Sequence, residues 1–242
     1  MDSNAPVLFG IDSVGNHKRA IQINSTNRGW EDLAKDDFGN FYIGDFGNNF
    51  NNRKNLKIYK IPSPDSIAQK IVTPEVIEFT YADQQAFPPP PSLHQFDMDA
   101  MIYFEESLYL FSKNRTKPYT GYTKMYRLPA IPGKYTAELL DSIYLGPGGM
   151  LETWVTGADM SPDKKTLALL SHDKIWLFQC FENNNFFKGK KTIVPLHHYS
   201  QKEGICFVDN ENLLITDERT ANLIGGSLYT FKIPNTYNAK CN

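Results

Sequence analysis

The chain has 242 residues, 41% of them hydrophobic and 21% charged, with a formal net charge of −2 and a pI near 6.2. So even a balance supplies no field for nucleic acid or an anionic membrane, and no apolar run approaches the roughly 18 residues of a membrane span. Aromatic residues reach 13%, with 13 Tyr and 16 Phe, a composition that suits many half-buried strands.

In chain order, the N-terminus MDSNAPVLF has neither the basic start nor the apolar core of a signal peptide. VLFGID at 7–12 alternates as a strand does, and Ala20–Ile23 reads as its neighbour. Trp30 to Asp45 is a hairpin: a strand WEDLA, the turn Asp36-Asp37-Phe38-Gly39, and a strand Phe41-Tyr42-Ile43 ending on Asp45. An Asn-rich loop leads to the strand 57–62, which Pro62 stops. Ser66–Lys70 is the one short helical candidate, confined by Pro64 and Pro74. Strands follow at 76–81, 99–112 (a second hairpin), 124–129, 139–144, 158–171 (a third hairpin), 174–178, 192–196, 203–217 (a fourth hairpin) and 227–234.

The strands at 7–12, 57–62, 124–129, 174–178 and 227–234 share one alternation around a central aromatic: Phe9, Tyr59, Tyr126, Trp176 and Tyr229. Their spacings of 50, 67, 50 and 53 residues belong to propeller blades and not to a helical solenoid. The expected fold is all-β: one β-propeller of about five four-stranded antiparallel blades, with units near 1–29 (partial), 30–96, 97–152, 153–199 and 200–242. Four first, four second, five third and four fourth strands leave a five-bladed ring three short. Those three would be consecutive and lie just upstream of residue 1, so the chain reads as a propeller lacking its first 40 or so residues. A closed four-bladed ring with 7–23 as an extra ribbon is the rival. Trp30, Tyr59, Tyr126, Trp176 and Tyr229 read as packing between blades.

Antiparallel blades bring the start of each inner strand and the end of each second strand to one rim. Glu31, Asp99 and Glu203 then face the mouth of the central channel, with Ala158 in the equivalent place in the fourth unit. The second strands end at Asp45, Ser112, Ser171 and Asp217, and the long loops 46–55, 113–122 and 218–226 share that rim. Converging carboxylates repel one another unless something positive sits among them. A calcium ion held by Glu31, Asp99 and Glu203, helped by Asp45, Asp217 or Asn48, would answer this. So would hydrogen bonds from neighbouring strands, or pairing with Lys113, Arg115 or Arg219. Ligand-binding candidates at the mouth are Asp45, Asn48, Ser112, Asn114, Asp217 and Glu218. His172 is the candidate base, with His197 or His198, should the site be catalytic. Cys180, Cys206 and Cys241 form no Cys-x-x-Cys pair and imply neither a zinc site nor a disulfide framework. The Asn-x-Thr triplets at Asn24 and Asn114 would matter only in a eukaryotic secretory route.

Glu203-Gly204-Ile205-Cys206-Phe207 followed by Leu214-Ile215-Thr216-Asp217-Glu218 resembles the inner hairpin of calcium-binding propellers of the gluconolactonase, esterase-like phytase and SdiA-regulated type. WEDLA, GDFGNN, LKIYKIP and VTGADMSPDKKTLALLS together resemble, more closely, a group of uncharacterised secreted bacterial propellers. The resemblance implies a propeller, an extracellular, periplasmic or cell-surface location, and calcium at the channel mouth. It implies no substrate. The expected function is a binding module, acting as a monomer, with an unidentified ligand or protein at the mouth. The alternative is a calcium-dependent hydrolase of phosphate esters or lactones, with His172 taking a proton.

Overall fold

Most of the alternating segments become strands within a residue or two of where the sequence places them, but the strand read at 20–23 begins at His17 and the one read at 139–144 begins at Gly133. A computed structural model describes residues 4–219 and 225–241. The first blade holds β1 (Val7–Ile11), β2 (His17–Ile23) and the short β6 (Ile71–Val72). The second is an antiparallel meander of β3 (Trp30–Lys35), β4 (Phe41–Asp45), β5 (Leu56–Ile61) and β7 (Glu75–Tyr81). The third repeats it with β8 (Met98–Phe104), β9 (Ser107–Ser112), β10 (Tyr122–Pro129) and β11 (Gly133–Tyr144). The fourth has β12 (Gly157–Met160), β13 (Thr166–Leu170), β14 (Lys174–Gln179) and β15 (Lys190–Pro195). The fifth has β16 (Lys202–Phe207), β17 (Asn212–Asp217) and β18 (Leu228–Lys232).

The sheets pack face against face, as propeller blades do. One apolar cluster lies between the first and second blades (Ile21, Ile23, Ile43, Tyr59) and a second between the second and third (Ile58, Phe79, Met101, Tyr126). Two more follow around the wheel, centred on Trp176 and Phe111, and on Leu177 and Ile215. The central aromatics are thus packing residues, except Phe9. It is 66% exposed, against only His17, because among the described residues no sheet covers that face of β1. The inner strands β3, β8, β12 and β16 lie side by side about the axis. Two half-buried aspartates stitch them: Asp32 accepts from Met101 N of β8 at 2.8 Å, and Asp159 from Phe207 N of β16 at 2.7 Å. Away from the mouth, Lys164 of the β12–β13 turn reaches Asp37 of the β3–β4 turn at 2.8 Å.

Three features depart from expectation. The candidate helix at 66–70 is instead a single 3-10 turn, Pro64–Ser66, followed by β6. Arg19 explains this by donating to the Pro64 and Ile67 carbonyls, which stops the turn from propagating. The second and third blades are joined into one eight-stranded sheet, because the first half of β11 runs parallel to β7. Cys180 and Cys241, read as unpaired, form a disulfide across 61 residues. Beyond β18 the chain turns back to the fourth blade, burying Ile233, and Ala239 N donates to Gln179 beside Cys180. The bridge staples that return. Cys206 is free and exposed.

Cross-linking 61 residues removes unfolded-chain entropy worth about 4 kcal/mol in the chain-entropy model. The C180S/C241S double variant should therefore have a lower urea midpoint and, because its unfolded chain is less compact, a higher m-value, and reductant should lower the wild-type midpoint to match.

Candidate functional site

A repeated irregularity aims the acids at the axis. In β3, Trp30 pairs with Asp45 and Asp32 with Gly44, leaving Glu31 as the extra residue of a β-bulge. The same slip leaves Asp99 extra between Met98 and Ala100, and Glu203 extra between Lys202 and Gly204. In the fourth blade Gly157 pairs with Leu170, and Thr156 N also donates to the Leu170 carbonyl. The counterpart of the three acids is therefore Thr156 and not Ala158, and its hydroxyl donates to the Lys202 carbonyl at 2.6 Å. Reading the repeat without the bulge misplaces that position by two residues.

A second ring follows from the register. The residues after the second-strand ends Asp45, Ser112, Ser171 and Asp217 are Phe46, Lys113, His172 and Glu218. Phe46 is fully buried against Gly44. Lys113 and His172 are buried as well and turn inward. The Lys113 ammonium bonds to Asp99 Oδ2, lies 3.8 Å from Glu203 Oε2, and sits 5.2 Å from the centre of the Trp154 ring. Behind it, Arg115 bonds to Asp97 and stacks 4.8 Å from the same indole.

These charges bias one another strongly. Burial, then the nearby Asp99 and Asp97 carboxylates, push Glu31 up to about 10. Burial also pushes Glu203 up to about 7, although Lys113 opposes it. Asp97 rises to about 6 through burial and Asp99. Burial works against the charge on Lys113, but Asp99 and Glu203 outweigh it and hold the ammonium above its ordinary range. Below these groups, burial lifts Asp32 well above the carboxylate range and Asp159 to about 6. Glu31 is held by close approach: a side chain at Gly47 would fall 1.8 Å from its Oε1.

His172 differs from its neighbours. Its Nδ1 is 3.3 Å from the Tyr199 hydroxyl, whereas its buried Nε2 has no hydrogen-bond partner and faces Glu203 Oε1 at 4.0 Å. Burial and the Lys113 charge lower its pKa, so the imidazole is neutral at pH 7. His197 and His198 do not reach this pair; His198 lies instead 5.9 Å from the Tyr229 ring.

The remaining rim candidates are engaged inside the blades. Asp45 takes Arg53 and the Tyr59 hydroxyl, and Asp217 takes Ser227 N and the Tyr229 hydroxyl. The acids that the sequence pairs 14 residues apart therefore separate, Glu toward the axis and Asp toward its own third strand. Asn48 donates to the Phe96 carbonyl and accepts from Asn52 N and Arg53 N. Ser112 accepts from Lys124 N, and Asn114 folds its own loop through Thr116, Thr120 and Tyr122. Glu218 is exposed and bonds to Gln201. Part of the 218–226 loop lies outside the described residues.

As arranged, the three acids suit an ammonium. Among the described residues no group of three or more His, Cys, Asp or Glu side chains could hold a metal ion. The groups that sequence reasoning did not single out are Asp32 and Asp97. Asp32 follows Glu31 in β3, and Asp97 lies in the connection two residues before Asp99, where neither carries a motif of its own.

No family model matches the chain, and no curated protein matches it. Solved structures similar in shape include a 6-phosphogluconolactonase-like protein of Bacteroides uniformis, at 10% identity and TM-score 0.48, over 96% of this chain and 64% of that one. Virginiamycin B lyase of Staphylococcus aureus matches at 13% identity and TM-score 0.42, over 87% and 55%. A chain of the mitotic checkpoint complex matches at 14% and 0.45, over 90% and 52%. This chain thus spans about half to two thirds of the length of those proteins, whose roles differ from one another.

Glu31 gives a test of the electrostatics. The folded carboxyl keeps its proton up to about pH 10, while the unfolded one loses it near 4.5. Between those values folding takes up a proton, so this group's contribution to stability falls as pH rises. E31Q, which cannot ionise, should melt close to wild type at pH 5 and above it at pH 9, by roughly 2–4 °C for each kcal/mol relieved in a protein this size. Parallel melting curves of the two proteins from pH 5 to 9 would show Glu31 to be ionised in the fold.

Proposed function

We propose that the protein is an exported or cell-surface β-propeller binding module whose ligand site is the channel mouth beside His172 and Glu203. The observation that carries this reading is the buried, unpartnered His172 Nε2 facing Glu203 Oε1 at 4.0 Å. An unmade buried hydrogen bond costs about 1–3 kcal/mol, and such a cost persists where a ligand group repays it. A neutral imidazole beside a carboxyl that titrates near 7 can both donate to and accept from a ligand hydroxyl or amide. The rim candidates Asp45, Asn48, Ser112, Asn114 and Asp217 already have partners, so among the inward-facing candidates recognition concentrates on the imidazole. The Cys180–Cys241 bridge supports export, since structural disulfides persist in oxidising compartments.

The same imidazole favours a second reading, hydrolysis of a phosphate ester or lactone with His172 as the base. Its calcium requirement turns on whether Lys113 leaves Glu31, Asp99 and Glu203 free for the ion.

Two measurements test the binding reading. H172L removes the unpartnered nitrogen, so it should leave stability within about 1 kcal/mol of wild type. A loss of several kcal/mol would mark His172 as structural. A panel of glucose, N-acetylglucosamine, glucose 6-phosphate, inorganic phosphate and triglycine, followed by thermal shift and histidine ring NMR, supplies the second. Any compound that raises the wild-type melting temperature should move the His172 signals and lose its effect in H172L and E203Q. A shift undiminished in both variants would put the ligand elsewhere.

A further inference from the structure

Lys113 is a costly residue to place where it is. Its side chain is 9% exposed, and burial of an ammonium is tolerated only with close counter-charges. The counter-charges come from separate blades: Asp99 from β8, in direct contact, and Glu203 from β16, at 3.8 Å. Glu31, from β3, completes the ring against Gly47. The indole of Trp154 covers the ammonium from the fourth blade. One positive centre is thus surrounded by oxygens that strand bulges deliver from around the wheel.

An oxygen-liganded divalent ion would call on these same carboxylates, at about 2.3–2.6 Å. The ammonium already bonds to one of them and faces another, and it is attached to the chain, so it needs no concentration to hold its place. We infer that Lys113 is a tethered cation standing where a divalent ion would otherwise be bound. The wild-type mouth is then independent of metal. Removing the ammonium while keeping the stem, as in K113M, lets the Glu31, Asp99 and Glu203 carboxylates, which as placed form no metal site, close on a divalent cation. This inference concerns the charge balance at the axis and stands apart from the ligand reading at His172 Nε2.

The experiment compares wild type, K113M, K113R and K113M/E203Q in metal-free buffer with EDTA and in 1 and 10 mM calcium. Each is followed by thermal melting and by terbium luminescence excited through Trp154. Wild type and K113R should move by less than about 1 °C on adding calcium, because no unoccupied site gains binding energy. K113M should melt lower than wild type in EDTA, recover by several degrees in calcium, and sensitise terbium. K113M/E203Q should lose both responses. Failure of the ligand panel at His172 would leave these expectations unchanged. A wild-type shift as large as that of K113M would show that ion and ammonium coexist, and would overturn the inference. So would a folded K113M blind to both ions, or a K113M that stays unfolded even in 10 mM calcium.

Discussion

Several acids are drawn into one small space at the axis, and the fold has to keep them there. Two unit charges 4 Å apart interact by about 4 kcal/mol at an effective dielectric of 20. Glu31, Asp97, Asp99 and Glu203 could not all ionise there unopposed. The structure answers in two ways. Lys113 and Arg115 neutralise Asp99 and Asp97 directly, and Glu31 keeps its proton. Glu203 lies between these solutions, close enough to Lys113 to feel it and buried enough to titrate near 7. The mouth is therefore nearly neutral and rich in hydrogen-bonding groups, and is not a strongly acidic well.

This crowding follows from backbone geometry. In a regular strand, neighbouring side chains alternate between the two faces of a blade, and both faces of the second and third blades are packed against other blades. A bulge adds a residue that belongs to neither face, and it recurs at Glu31, Asp99 and Glu203. At the equivalent place in the fourth blade Thr156 precedes β12, and its hydroxyl, bonded to the Lys202 carbonyl, joins fourth and fifth blades without charge. Deeper in the channel, Asp32 and Asp159 do the stitching with carboxylates that accept backbone N–H groups from the next inner strand. Bulged acids set the electrostatics of the mouth, and half-buried aspartates tie the inner strands together.

What was legible in the sequence divides along the same line. Alternation and turn residues are local signals, and β5, β10, β14 and β18 lie close to where they were read. The convergence of Glu31, Asp99 and Glu203 on one rim followed from the repeat, because equivalent positions in a wheel must meet. Registry at the level of one residue did not follow. A bulge has no local signature, so Thr156 was hidden behind Ala158. The Cys180–Cys241 bridge spans 61 residues, and the return of the tail that makes it is a tertiary event. The parallel pairing of β7 with β11 is equally non-local. Lys113 was visible only as one of several cations that could neutralise the acids, because its position depends on where the Asp99 bulge aims.

The equivalence of Lys113 and His172 explains why the proposed interaction site falls on one side of the wheel. Both follow a second strand that ends in serine, Ser112 and Ser171. In the second blade this place holds the buried Phe46, and in the fifth the exposed Glu218. Moving around the axis, the ring passes from an apolar plug to an ammonium, an imidazole and a carboxylate. The ammonium is matched by Asp99, and the plug needs no partner. The imidazole inherits the same inward direction but meets a carboxyl 4.0 Å away, too far for a direct hydrogen bond and close enough for one shared atom of a ligand to touch both. A site of this kind needs no dedicated motif. It arises where a repeated backbone position carries a side chain whose opposite number is one bond length out of reach.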